Sequence, residues 1–331
     1  RVKTVSVLLA LAGLGLATLL IGWFGFNPIL HATLSVGWSG LALLAAWQCL
    51  MFALLGFAWK VILPPEQPRP PWRVLLWGRM VRDASANLLP FSQVGGFVFG
   101  ARAITLHGVA WPLASASTVV DVTAEFLAQL AFAAIGLLIV VLRAPHETIA
   151  IPAAIGLGLA VLAGGAFVWL QRGAGSIFAR LGPRIAPAWF AGTADRLAAF
   201  QGAISAIYAH PGRLAAGFLI HLLGWIAAGI SDWMAYRLLG HPIGVLAALA
   251  IEALLSALAA AAFLVPVSAG VQEAGYVGLG ALFGLRPDIS LAVSLLRRAR
   301  DVVVGVPILL AWQGVEMRRL RARRRGVQPQ G

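Results

Sequence analysis

The sequence predicts an all-α integral membrane protein with about six full transmembrane helices and two re-entrant helical hairpins arranged as an inverted repeat. Three observations carry this. The 331 residues are 60% hydrophobic and only 11% charged, whereas a soluble domain has about 25% charged residues. Six apolar runs are long enough to cross a bilayer as helices, the one open-ended form that satisfies its own backbone in hydrocarbon. Two further pairs of apolar segments, at 72–107 and 244–285, are each interrupted by a proline and glycines.

Taken in order, Val5–Phe26 is the first span. It lacks a small-residue cleavage site and reads as a retained helix, not a signal peptide. The chain opens on Arg1 and not Met, so native residues are expected before it. Trp38–Leu63 is the second span and returns the chain at the basic, proline-rich "LPPEQPRPPWR" of 63–73. Residues 72–89 and 91–107 then meet at Pro90, and the following span must start on the same side if the basic 172–213 loop is to end there. The pair therefore enters and leaves by one face, with "PFSQVGG" at its tip.

Pro112–Leu142 and Thr148–Gln171 are the third and fourth spans. Within 188–209, Phe190, Leu197, Phe200, Ile204 and Ile207 recur at helical spacing beside Asp195, Arg196 and Ser205. This is an amphipathic helix expected to brace the cytoplasmic interface. Arg213–Leu239 is the fifth span. Residues 244–264 and 271–285 form the second hairpin, entered from the opposite face, with "VPVSAGVQEAG" at its tip. Ile289–Gln313 is the sixth span, and 318–331 a basic tail outside one membrane domain spanning 1–317. That domain divides into halves of about 1–142 and 148–317.

The formal charge of +13 does not point to nucleic acid. Basic residues gather at 1–3, 60–82, 172–213 and 318–325, and are scarce in the intervening connections. That asymmetry places both termini in the cytoplasm of a multi-pass membrane protein. Cys49 is the single cysteine, which excludes an internal disulfide. The six histidines show no metal-ligand spacing and there is no phosphate-binding loop for ATP. No nucleophile elbow appears either. The expectation is a protein without cofactor or metal that is not an enzyme.

The two hairpin tips match each other. Pro90 and Ser92 recur as Pro266 and Ser268, 176 residues on, and the same offset takes Asp121 to Arg297 and Glu125 to Asp301. Proline- or glycine-broken segments at matching places in two halves are the best sequence pointer to a transporter's midplane site. Each proline ends a helix, and the next helix presents free N–H groups able to hold an anion. Gly95 and Gly96 in one tip and Gly270 in the other would let a ligand approach the backbone, with Ser92, Gln93, Ser268 and Gln272 adding neutral hydrogen bonds. A purely structural kink, with Ser and Gln capping freed carbonyls, is the alternative for either tip.

Asp121, Glu125 and Gln129 lie four apart on one helix face. Charge at membrane depth costs about 2.5 kcal/mol or more per residue, so an ionisable residue there is a functional candidate by default. The expected partners of Asp121, Glu125 and Glu273 are Arg297 and Arg298 of "LLRRARD", whose Asp301 lies four past Arg297. Arg79 and Arg82 stand beside Asp83 in the first hairpin arm, as a vestibule for a lipid phosphate or as ordinary cytoplasmic anchors. Arg102, in the second arm, reads as the deeper headgroup contact. Glu252 and Asp232 carry less weight.

With those residues in view, "RMVRDASANLLPFSQVGGFVFGARAITLHGV" and "STVVDVTAEFLAQ" resemble the membrane region of the lysylphosphatidylglycerol synthase and flippase-like family. The resemblance is nearest to the branch found with hopanoid biosynthesis genes. "LVPVSAGVQEAG" and "LLRRARD" are similar to that family's second-half motifs, although the usual "P-x-PGG-x-G-x-x-E" is here "PVSAGVQEAG". The resemblance implies a fold that moves lipids between leaflets, here a hopanoid or an anionic or zwitterionic polar lipid. The synthase's aminoacyl-transferase domain is absent from this chain, so no lysyl-lipid synthesis is expected.

The reading is therefore a lipid flippase with membrane lipids as partners. Self-association and lipid-biosynthesis enzymes are further candidate partners. A proton- or ion-coupled carrier of a small polar solute, a headgroup-modifying membrane enzyme, and a non-catalytic subunit of a lipid-synthesis complex remain as rivals.

Overall fold

A computed structural model describes residues 26–65, 69–89, 92–143, 194–261 and 271–325, with six single positions between 155 and 169. Among the described residues all regular structure is helical. In chain order the helices are α1 (Phe26–Ile62), α2 (Trp72–Leu88), α3 (Ser92–Thr105), α4 (Trp111–Arg143) and α5 (Ala194–Tyr208). They continue with α6 (Pro211–Leu238), α7 (Val245–Ala261), α8 (Val271–Leu282) and α9 (Pro287–Arg325). The expected spans Val5–Phe26 and Thr148–Gln171 lie outside the described residues, apart from those single positions.

Three stretches are long and apolar enough to cross a membrane: Leu34–Ile62, Trp111–Leu142 and Pro211–Leu238. Large apolar side chains point outward from all three, among them Leu50, Phe57, Leu138, Leu142, Leu219 and Leu223, with Leu142 72% exposed. Inside, the buried set includes Arg79, Arg82, Asp121, Asp232, Glu252, Arg298 and Arg300. An apolar exterior around an ionic interior inverts the usual soluble arrangement and fits a lipid surround.

Two helices run past the expected span ends. Residues 27–36 are helical and form the first part of α1. The break falls at Gly37, whose φ of 75° lies in the left-handed region that glycine enters without steric penalty. The basic residues 318–325 are likewise helical and continue α9. At 1.5 Å per residue this 39-residue helix is about 58 Å long, well beyond a hydrocarbon core of about 30 Å.

Within each of the two regions the helices pack on each other, α2 against α3 and α7 against α8. The first pair is antiparallel: Gly78 faces Gly100 and Ile104, and Gly96 faces Arg82 and Ala86. Gly96 is needed for this approach, since a Cβ there would stand 2.7 Å from the Arg82 carbonyl oxygen. α1 and α6 also run antiparallel, with Gly40 on Leu238 and Gly217 on Ile62 at the two ends. Between them Trp47 donates from Nε1 to the Ala227 carbonyl at 2.9 Å.

A large core joins α1, α6, α7, α8 and α9 through Leu44, Tyr236, Ile251, Tyr276 and Leu296. The amphipathic helix α5 turns Ala203, Ile204 and Ile207 onto Ala116, Val120 and Ala124 of α4. It packs as a brace against the helix that carries Asp121.

Candidate functional site

The helices α2, α4 and α6 bring one set of charges together. On α2, Arg79, Arg82 and Asp83 share a face because three- and four-residue spacings recur on one side of a helix. On α4, Asp121 and Glu125 do the same. Arg82 donates from Nη1 to Asp121 Oδ2 at 2.7 Å, and from Nη2 to Glu125 Oε2. Arg79 forks onto both Glu125 oxygens at 2.9 and 2.5 Å, while its Nε reaches Asp83 Oδ2 at 2.7 Å. Such bidentate, charge-assisted geometry is the strong form of the hydrogen bond.

α6 completes the cluster. His221 Nε2 lies 3.0 Å from Asp121 Oδ1, and Trp225 donates to the Glu125 carbonyl at 3.2 Å. The side chains of Arg79, Arg82, Asp121 and His221 are all at most 3% exposed, whereas Asp83 and Glu125 are 17% and 18% exposed. The cluster thus has a sealed back and one edge within reach of a ligand, formed by two carboxylates. Phe97 of α3 covers Arg82, its ring centre 5.6 Å from the guanidinium carbon.

A second cluster joins α6, α7, α8 and α9. Arg297 donates from Nη1 to Glu252 Oε2 at 2.5 Å and to the Tyr276 hydroxyl at 3.0 Å. The Tyr276 hydroxyl in turn donates toward Asp232, whose oxygens are 3.0 and 3.1 Å away. Next to it Arg298 pairs with Glu273 at 2.7 Å. Arg300 reaches Asp301 at 2.8 Å and the Ser231 hydroxyl at 3.0 Å.

The two clusters occupy matching places in two runs of helices. α2 and α7 start at 72 and 245, and Arg79 and Glu252 are both their eighth residues. α4 and α9 start at 111 and 287, and Asp121 and Arg297 are both their eleventh. Arg79 Nη1 stands 3.8 Å from Asp121 Oδ2, and Arg297 Nη1 is 2.5 Å from Glu252 Oε2. An ion pair therefore spans the same two helix positions in each cluster with the signs exchanged, although the hydrogen bonds of Asp121 and Arg79 go to Arg82 and Glu125.

Several sequence expectations change. Asp121 and Glu125 do not pair with Arg297 and Arg298; they belong to Arg79 and Arg82, whose long side chains reach from α2 to α4, while the late arginines face α7 and α8. Only Glu273 keeps its expected partner, Arg298. Arg79 and Arg82 are not cytoplasmic anchors, being buried against carboxylates. Arg102 is not deep: its side chain is 41% exposed and pairs with Glu316 of α9 at 2.7 Å. Gln129 departs from its helix-face neighbours and donates to the Ser256 carbonyl at 2.9 Å, fastening α4 to α7. Gly96 serves helix packing, not ligand approach.

Ser92 and Gln93 lie in the first turn of α3, Gln272 in that of α8, and Gly95 is half-buried. Pro90, Pro266, Ser268 and Gly270 lie outside the described residues. Sequence reasoning passed over His221 and Tyr276 and undervalued Asp232 and Glu252. The one available signal for His221 was its four-residue spacing to Trp225 on a spanning helix.

These features define a polytopic helical membrane protein with buried ion clusters between its helices. The family model described as "Lysylphosphatidylglycerol synthase TM region" matches residues 8–308. The chain belongs to this family of membrane proteins, whose function is related to lipids. Searches of curated proteins and of solved structures each found no match.

Proposed function

We propose that this chain moves a polar-headgroup lipid between the leaflets of the bacterial inner membrane. The observation that carries the reading is the pair of buried ion clusters of exchanged sign at matching helix positions. Charges at this depth are costly, and a protein needing only stability gains little from them, because a buried ion pair is often no better than well-packed apolar side chains. Two such clusters, in a chain of a lipid-related family, suit a headgroup that must cross hydrocarbon.

In this reading the hairpins α2–α3 and α7–α8 re-enter from opposite faces, as halves of an inverted repeat. With the spans of 5–26 and 148–171 this gives six full crossings and cytoplasmic termini. The headgroup arrives at the accessible Asp83 and Glu125 edge. An amine there is taken by these carboxylates, and a phosphate by the Arg79 and Arg82 forks that they release. The acyl or hopanoid portion stays in the bilayer. No covalent chemistry is required of the chain, and membrane lipids are its partners.

The test is leaflet exchange of labelled lipid in liposomes containing the purified protein. Faster exchange of an anionic, zwitterionic or hopanoid lipid than in empty liposomes is expected. No acceleration for any of the three would overturn the proposal.

A further inference from the structure

The second cluster is not electrically balanced. Arg297 brings one positive charge to two carboxylates, Asp232 and Glu252, and the Tyr276 hydroxyl brings none. The side chains of Asp232 and Glu252 are 3% and 1% exposed. Among the described residues the nearby charges of α8 and α9 have carboxylate partners of their own: Arg298 with Glu273, and Arg300 with Asp301. α6 adds the neutral Tyr236 and Ser231, α1 adds Leu41 and Leu44, and α4, packed on α7, adds the neutral Gln129. An unpaired negative charge in such surroundings is strongly unfavourable.

A second, independent observation concerns one atom. Glu252 Oε2 receives Arg297, but Glu252 Oε1 is buried without a hydrogen-bond partner among the described residues. Asp232 is close enough to Glu252 for the two acids to interact directly, and Arg297 Nη1 stands 3.9 Å from Asp232 Oδ1. One proton shared by the two acids removes the surplus charge and gives the lone acceptor a hydrogen-bonding partner. A sodium ion fits less well, because it would share these oxygens with a guanidinium less than 4 Å away.

We infer that the Asp232–Glu252 pair is a single-proton site, and that proton entry and exit there is coupled to lipid movement. This rests on the transport reading above and adds its driving force. On entry a proton from the aqueous phase bonds to one oxygen of the pair, that carboxylate becomes a neutral acid donating to the other, and Arg297 faces one negative charge instead of two. On exit the proton returns to water and the second negative charge stands beside Arg297 again. Because Asp232, Glu252 and Arg297 lie on α6, α7 and α9, one bound proton alters the contact among these three helices.

Two measurements test this. In detergent, infrared difference spectra of the intact chain across an acid–base titration should show one buried carboxylic-acid band that is absent from both Glu252→Gln and Asp232→Asn. This readout needs no transport. No protonated-carboxyl band in the wild type, or a band surviving in both variants, overturns the site. In proteoliposomes, a gradient of one pH unit should shift the leaflet distribution of a transported lipid by up to about tenfold, as one-to-one coupling requires. In Glu252→Gln, whatever exchange is measured should no longer respond to the gradient. Exchange indifferent to the pH gradient, or driven by a sodium gradient instead, overturns the coupling. Absence of any exchange in the wild type counts against the transport reading on which the coupling rests, while the infrared result still decides the site.

Discussion

Arg82 Nη1 and Asp121 Oδ2 meet at 2.7 Å with both side chains at most 2% exposed. Asp121 also receives His221, so one carboxylate joins α2, α4 and α6. Asp121→Asn keeps the shape but removes the charge, leaving Arg82 to share Glu125 and Asp83 with Arg79. A loss of about 3 kcal/mol is expected, the usual scale for breaking a buried pair from one side. Thermal unfolding in detergent would measure it. Adding Arg82→Gln should cost less than the sum of the two single changes, and strict additivity would show that the residues are not coupled.

Glu125 is at the accessible edge and should separate function from stability. Glu125→Gln is expected to lower leaflet exchange at least tenfold while costing less stability than Asp121→Asn. If exchange were normal in a folded variant, the carboxylate would have no part in headgroup transfer.

The exchanged polarity of the two clusters can be tested by reversing one of them. Glu252→Arg or Arg297→Glu alone places like charges together and should prevent accumulation of folded protein in the membrane. The double variant Glu252→Arg with Arg297→Glu restores the pair with the polarity of Arg79 and Asp121. It should recover much of the folded yield, read by size-exclusion profile and melting temperature. Recovery no better than either single variant would argue against equivalence of the two places.

Neighbouring glycines give a prediction of opposite outcomes. Gly96→Ala forces a methyl group to 2.7 Å from the Arg82 carbonyl oxygen. It should cost about 1–3 kcal/mol as overpacking and push α3 away from the arginine helix. Gly95→Ala meets only a Phe99 ring atom at 3.8 Å and should be close to neutral. Equal melting temperatures for the two would contradict the hairpin packing.

Arg102→Ala should change stability by less than about 1 kcal/mol, because its pair with Glu316 is partly solvated. A larger loss would restore it to the interior role that the sequence suggested.

Secondary structure was largely legible. Helical hairpins at 72–107 and 244–285 follow from proline placement, since a proline inside an apolar run leaves few other solutions. The candidate charges on α2 and α4 were also legible, because arginine and carboxylate in an apolar helix stand out. Their partners were not. Linear spacing shows that Asp121 and Glu125 share a face but not which helix that face meets, and the offset of 176 residues suggested Arg297 when the true neighbour was the nearby hairpin. That offset relates equivalent places, and equivalent places need not touch. His221 and Tyr276 escaped notice because neither is unusual in a membrane helix until its neighbours are known.

α6 carries a residue of each cluster: His221 against Asp121 and Asp232 against Tyr276. The two are eleven residues apart, close to three whole turns, so they project from nearly the same side of the helix about 16 Å apart along its axis. α6 is therefore pinned at two heights like a bolt through two plates. It cannot roll about its own axis without withdrawing both pins, so a rolling motion of this one helix would loosen the two ion clusters in the same stroke.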